Sequence, residues 1–470
     1  GNNPINSLNY LFADQPFLSY LPPYSPNMSN VTDMSFMFYN ATGFNNTITI
    51  DTSNVTTMSG MFMNASSFNQ PLNFNTESVI SMNQMFQSAN SFNQPLSLNT
   101  KKVTDMSSMF KSANSFNEIL NFDTQSVTNM SSMFSGTRSF NKPLNFNTQS
   151  VTNMSEMFSG ARTFNQEINF NSINVTNFTS FLSNTVTFNN NVNLITNNAI
   201  SMSKMFQGAK SFNKQLFFNT EKVSSMSGMF AGTTLFNQPL NFDTKNVLYM
   251  NSMFSSAQAF NQPLNFNTGK VINMSYMFSE TKLFNQPLSL DTANVRGMEY
   301  MFYKSLSFNN TLDLNTANVE NMEGMFYRSE VFNQPLNFDT SSVRNFYAMF
   351  FGAKAFNQEI NFNVKSAYEL TYMFAGASNF NSPVNIDTSN IYSLNAMFMD
   401  ASSFNQPVTF NTTRVGEMTY MFAGASSFNQ PLNFDTRRAV IMNGMFDRAS
   451  AFQQDLSHWC MLNVDKFPYA

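Results

Sequence analysis

The chain has 470 residues, a formal net charge of −4 and 11% charged residues. That balance leaves no basic stripe for nucleic acid, because Lys101-Lys102 and Arg437-Arg438 are isolated pairs. No run approaches the ~18 apolar residues of a membrane-spanning helix, and a single cysteine permits no internal disulfide.

The sequence opens on Gly1 without a signal-type apolar stretch, which leaves open a removed leader or anchor and a missing start. Residues 1–30 read as an N-terminal cap: Leu8, Leu11 and Phe12 echo the core spacing of the later residues, and Leu21-Pro22-Pro23-Tyr24-Ser25-Pro26 interrupts it. Residues 31–451 then read as one continuous repeat array. Phe recurs every 24 residues, eighteen times, from Phe44 through Phe68 and Phe92 to Phe452. Such a register means one unit copied and stacked, each copy too small to bury its own apolar face.

With that Phe as position 1, the copies read F-N-Q-P-L-N-F-(N/D)-T-x-x-V-x-x-M-x-x-M-F-x-x-A-x-x, as from Phe260 to Phe284. Positions 5 and 7, such as Leu264 and Phe266, alternate with polar residues, the pattern of a half-buried strand. Pro at position 4 lacks a donor and suits the strand's edge, and the following N/D-T-x-x is turn chemistry. Positions 15, 18, 19 and 22, such as Met274, Met277, Phe278 and Thr281, fall at i, i+3, i+4, i+7 and predict a short helical or 3₁₀ segment. Of 55 Phe, 46 occupy positions 1, 7 and 19, and of 35 Met, 31 occupy positions 15 and 18. They read as core filling rather than as a metal-binding or calmodulin-like groove. The predicted fold is a leucine-rich-repeat-like solenoid of about 18 turns, with a parallel strand ladder plus a helical or 3₁₀ segment in each; a straight right-handed parallel β-helix is the alternative.

Position 2 is Asn in seventeen copies, among them Asn69, Asn93, Asn141, Asn237, Asn261, Asn285, Asn333, Asn405 and Asn429. An Asn ladder satisfying backbone groups at a bend is the structural reading; a substrate-binding row is the weaker one. From Asp243 to Asp435 position 8 alternates Asp and Asn, which keeps like charges two turns apart; a row of calcium sites would need more carboxylates per ion.

The repeat loses its polarity between residues 276 and 372, where aromatics stand at positions expected to face solvent: Tyr276, Tyr300 and Tyr372 at position 17, Tyr303, Tyr327 and Phe351 at position 20, and Tyr347 at position 16. Arg328 lies among them with Arg296, Lys304, Arg344 and Lys354. Aromatics with interspersed cations compose a contact surface, although tyrosines simply covering the turn edges would read the same way.

Residues 452–470 read as a C-terminal cap closed by Trp459 and Lys466-Phe467-Pro468-Tyr469. The one His, His458, lies two residues from Cys460; packing explains the pair better than a nucleophilic dyad. No phosphate loop or metal-ligand spacing stands out, so no cofactor, metal or enzymatic activity is expected. Sequons such as Asn54-Val55-Thr56 leave glycosylation open.

The M-F-x-x-A, S-F-N-Q-P-L and x-x-V-x-x-M succession, from about Val31 to Val464, resembles the BspA-like leucine-rich repeat surface proteins, in particular their mycoplasma-lipoprotein-type branch. Position 7 is Phe here, where that family often has Trp in a longer turn; only Leu456-Ser457-His458-Trp459-Cys460 matches the longer form. The resemblance implies a solenoid in a cell-surface or extracellular setting. The expected function is non-enzymatic, presenting an extended face for adhesion or protein interaction to a protein or glycan ligand, with self-association possible. A subunit of an extracellular filament or virion surface built by rod–rod contacts is the alternative, and an ice- or glycan-binding plane a third reading.

Overall fold

The computed structural model describes residues 5–18 and 28–460. Leu21–Pro26 and the segment after Cys460, both assigned above to the caps, lie outside the described residues. The chain divides into two units, Gly1–Phe236 and Asn237–Ala470, each made of the same repeat.

Within each unit neighbouring repeats lie parallel and in register. In the first unit single parallel bridges join position 14 to position 14, as in Asp33↔Thr57, Thr57↔Ser81 and so on to Ser201↔Ser225; in the second they run from Tyr249↔Asn273 to Asn321↔Asn345 and from Glu369↔Ser393 to Glu417↔Ile441. Around each bridge the amides alternate in direction. Met58, Gly60, Phe62 and Asn64 donate to Ser81, Asn83, Met85 and Gln87 of the next repeat, while Met61, Met63 and Ala65 donate to carbonyls three residues back.

This geometry corrects the predicted helical or 3₁₀ segment: among the described residues there is neither. Positions 15 to 22 are a chain of tight turns, with left-handed backbone at positions 17 and 21, as at Tyr276 (φ 58°) and Glu280 (φ 56°). A left-handed residue every fourth step breaks any helix, yet three-residue turn closures return side chains to one side with nearly helical spacing. The backbone cost of about 1–2 kcal/mol for each left-handed residue is offset by the amide those residues donate across to the next repeat.

The predicted strand ladder at positions 5 to 7 is also mostly absent. Among the described residues two strands form, β1 (Ile168–Phe170) and β2 (Val192–Leu194), paired in parallel with Ile168 opposite Val192. Elsewhere single bridges join Leu288↔Leu312 and Ile360↔Val384. In each paired set at least one repeat has a residue other than Pro at position 4, namely Glu167 and Asn191, Thr311, and Glu359; Pro withholds a ladder donor.

A side chain does part of the ladder's work. Thr at position 9, read above as turn chemistry, is buried: Thr268 is 1% exposed and its Oγ1 donates to the Asp291 carbonyl of the next repeat at 2.8 Å. Some of these hydroxyls bond both ways to one residue. Ser172 donates to Ile195 O at 2.9 Å and accepts from Ile195 N at 2.9 Å; Thr412 does the same with Asp435 and Thr436 with Cys460. The hydroxyl thus stands where a strand partner would.

The core comprises the Val, Met, Phe and Ala rows, nearly all fully buried. Phe at position 19 stacks on Phe at position 1 of the following copy and on the position-19 rings of neighbouring copies, as Phe62 does on Phe68 at 4.2 Å and on Phe86 at 5.6 Å, with ring planes 7° apart in both cases. The turn at Phe178 breaks the pattern. Leu182 replaces the position-19 ring, and Phe181 meets Phe158 edge-on at 5.5 Å and 84°, so the apolar volume is redistributed over neighbouring positions rather than lost.

At the start, Leu8, Tyr10, Phe12 and Asp14 donate their amides to Asp33, Ser35, Met37 and Tyr39. Residues 8–14 therefore sit as one more copy of positions 15 to 21. At the other end Trp459 is buried, stacks on Phe434 at 6.0 Å and donates its indole N–H to Leu432 O at 3.3 Å.

Candidate functional site

A residue at position 17 is left-handed and its side chain lies over position 17 of the next repeat. A large ring there therefore needs another ring or a very small residue beneath it. In the second unit Tyr276 stacks on Tyr300 at 5.0 Å and 19°, and Tyr300 covers Gly324, where an added Cβ would stand 2.2 Å from the ring. Tyr420 covers Gly444 in the same way.

A second stack runs along position 20. Tyr303 packs on Tyr327 at 5.2 Å, and Tyr327 on Phe351 at 4.6 Å and 7°. Edge contacts tie the two rows together: Tyr300 to Tyr303 at 5.7 Å, Phe351 to Tyr372 at 6.1 Å and Tyr372 to Tyr347 at 5.8 Å. The seven aromatics singled out in the sequence thus form one unbroken chain of ring contacts. Their burial differs from the sequence expectation: Tyr276 and Arg328 are exposed, but the other six are only half-exposed, because each ring covers the next.

Between the rows opens a cleft of about 590 Å³ lined by Tyr276, Ser279, Glu280, Tyr300, Tyr303, Tyr327 and Tyr347. The Tyr300 hydroxyl donates to Glu323 Oε1 at 2.7 Å, and Asn345 Nδ2 donates to the other oxygen of that carboxylate at 3.0 Å. Burial, then the bond to Glu323, pushes the Tyr300 hydroxyl well above the ordinary tyrosine range. Tyr276 and Tyr347 are pushed up as well, again first by burial and then by neighbouring charged or ionisable groups that include Glu323. Lys304 Nζ lies 4.8 Å from the Tyr303 ring centre and 3.8 Å from Glu280 Oε1, and the Arg328 guanidinium lies 5.8 Å from the Tyr327 ring centre.

The other cations of the sequence reading lie elsewhere. Arg296 and Arg344 flank Glu320 in a separate polar hollow of about 470 Å³, and Lys354 pairs with Glu330 at 2.9 Å. Sequence reasoning missed Glu280, Glu299 and Glu323, which resemble any surface carboxylates, and Gly324, whose position directly after an aromatic position 17 was the available signal. It also missed a smaller cluster in the first unit: Tyr10 stacks on Phe36 at 5.0 Å, Tyr39 meets both edge-on, and Gly60 lies under Phe36.

The Asn row is structural in its geometry. Asn69 Oδ1 accepts the Asn93 amide at 2.9 Å, and Asn141 that of Asn165. Asn237, Asn261, Asn285, Asn333, Asn405 and Asn429 likewise accept the position-2 amide of the next repeat; Asn93 serves Asn117. Position-3 glutamines often add a second donor, as Gln286 Nε2 does to Asn261 Oδ1 at 3.1 Å. The alternating Asp/Asn at position 8 caps the amide two residues on, Asp291 for Ala293 and Asn315 for Ala317, a task either side chain performs. Among the described residues no three His, Cys, Asp or Glu groups gather as metal ligands, and no helix is long and apolar enough to cross a membrane.

No curated protein matches the chain. A family described as "Mycoplasma protein of unknown function, DUF285" matches it in six overlapping segments, 6–121, 117–217, 200–314, 289–386, 312–407 and 383–469. With nearly the whole sequence matched, the chain belongs to the DUF285 family of tandem-repeat proteins.

Proposed function

We propose that the protein is a non-enzymatic solenoid of the BspA-like, leucine-rich-repeat kind, acting outside the cell or on its surface, where the aromatic face of residues 276–372 binds a partner. The observation that carries this reading is the unbroken chain of ring contacts from Tyr276 to Tyr347 beside an open cleft of about 590 Å³. Partly exposed aromatics of this extent serve association rather than folding, since the core rows are complete without them. The solenoid assignment is supported by the parallel in-register bridges, and the surface setting by the resemblance to BspA-like proteins. The non-enzymatic reading is supported by the His458–Cys460 pair, which is engaged in packing: His458 Nε2 lies 3.1 Å from Leu432 O, and the Cys460 backbone is held by Thr436.

Replacing Tyr303, Tyr327 and Phe351 together with Ser tests the assignment. Binding of the labelled chain to cultured animal cells and to a glycan array should fall at least about 10-fold, with the thermal midpoint nearly unchanged. Unchanged binding would refute the role of this face. Ordered polymers sedimenting without added partner would move the reading to assembly.

A further inference from the structure

The chemistry of the aromatic cleft specifies more than "a partner". Its walls carry the hydroxyls of five tyrosines and Ser279, which donate as well as accept, and one carboxylate, Glu280, which only accepts. Tyr300 gives its one proton to Glu323 and so offers only lone pairs to an occupant. The Glu280 carboxylate, on the wall itself, accepts from Ser256 Oγ at 2.8 Å and keeps free acceptor capacity. Glu299 acts on Tyr276, and Glu323 and Glu369 act on Tyr347, so carboxylates outnumber Lys304 and Arg328 around the rings.

We propose that this cleft receives a cationic side chain, arginine or lysine, from a basic segment of a partner protein. The inference rests on the aromatic face being an interaction surface. An acidic segment would meet Glu280 and Glu323, whereas a cationic side chain meets carboxylates and ring faces that both favour it. The rings already hold cations within the chain, since Lys304 and Arg328 lie over Tyr303 and Tyr327. Lys304 is an exposed occupant beside Tyr303 and 3.8 Å from Glu280, and an incoming arginine competes with it for the same groups. The cleft volume of about 590 Å³ matches the ~300–1,000 Å³ of sites that enclose a small ligand.

Titration calorimetry on the full chain with three probes tests this: a capped glycine-serine peptide carrying two arginines, the same peptide with citrulline in place of arginine, and phosphocholine vesicles. The arginine peptide should bind at least about 5-fold tighter than its neutral citrulline twin. Glu280→Gln should weaken that binding and Lys304→Ala should strengthen it, a pair of opposite signs that loss of structure would not produce. Equal affinity for the two peptides, no binding of either, or vesicle binding that the peptide does not displace would each overturn the proposal. If the peptides are not distinguished while the Tyr303, Tyr327 and Phe351 triple variant still loses cell or glycan binding, the cation assignment falls and the interaction face stands. If the arginine preference appears while the triple variant binds normally to cells and glycans, the interaction face as drawn falls instead.

Discussion

The buried Thr row offers a direct measure of what joins one repeat to the next. In Thr268→Val the replacement is nearly isosteric, so no cavity forms, but the Asp291 carbonyl loses the hydroxyl that lies 2.8 Å away. Leaving that carbonyl without its partner costs about 1–3 kcal/mol, and exchanging the hydroxyl for a methyl returns roughly 0.8 kcal/mol of apolar burial. The net loss is about 0.2–2 kcal/mol, which for a unit of this size lowers the thermal midpoint by up to about 8 °C. The chain contains the reverse experiment. At Val364, buried to 1% exposure, the hydroxyl is missing, so Val364→Thr should leave stability level or raise it by up to about 1 kcal/mol. Both variants are measured by calorimetry and by urea unfolding with an unchanged m-value. A midpoint for Thr268→Val at or above that of the parent chain would show that the hydroxyl joins nothing and that apolar burial alone holds the repeats together.

Gly324→Ala places a Cβ 2.2 Å from the Tyr300 ring at a residue with φ of +53°; it should cost at least about 1–2 kcal/mol and reduce the near-ultraviolet circular dichroism of the stacked tyrosines. Phe278→Ala removes a fully buried ring that stacks on Phe284, Phe254 and Phe302, and calorimetry should register a loss of about 3–5 kcal/mol. The position-8 aspartates make the fold sensitive to acid. Hydrogen bonding to Arg437, by side chain and by backbone, holds Asp435 down to about 2, and backbone amides lower Asp51 and Asp243. Since the folded values lie below the ordinary carboxylate value of 3.8, their stabilisation is complete above about pH 4 and is lost as pH falls toward 2; substituting Asp435, Asp51 and Asp243 by Asn should flatten the thermal midpoint across that window. At high pH the sign reverses: Tyr276, Tyr300 and Tyr347 are raised, so absorbance at 295 nm should show tyrosines still protonated well above pH 10, with stability falling as they are forced to ionise.

The apolar rows were legible in the sequence because core Phe and Met tolerate no polar substitute: positions 1, 15, 18 and 19 are almost without exception the buried ones. Backbone conformation was not legible. Chained tight turns and a helix both return side chains to one face at i, i+3, i+4, i+7, and the left-handed position 17 is filled by Ser108, Gln84, Lys204 and Tyr300 as readily as by Gly60, so no glycine signal marked it. Thr at position 9 was equally ambiguous, since a threonine before a turn reads the same whether its hydroxyl meets water or a neighbouring carbonyl. The aromatic site was legible as a departure from a polar repeat; the carboxylates that set its chemistry were not, because Glu299 and Glu323 acquire their role only from the tyrosines of adjoining repeats.

That dependence on adjoining repeats also sets how such a surface is composed. A left-handed residue at position 17 sends its amide across to the next copy and lays its side chain over the same position there. One substitution per repeat therefore lengthens a stack by one ring, and a glycine ends it. Both units follow the rule: Tyr10 on Phe36 with Gly60 beneath, and Tyr276 on Tyr300 with Gly324 beneath. The position-20 row follows the same logic where a ring succeeds a ring, from Tyr303 through Tyr327 to Phe351. The length and placement of an aromatic face are thus fixed by a few residues outside the core, while the Phe, Met, Asn and Thr rows that hold each unit together remain as they are.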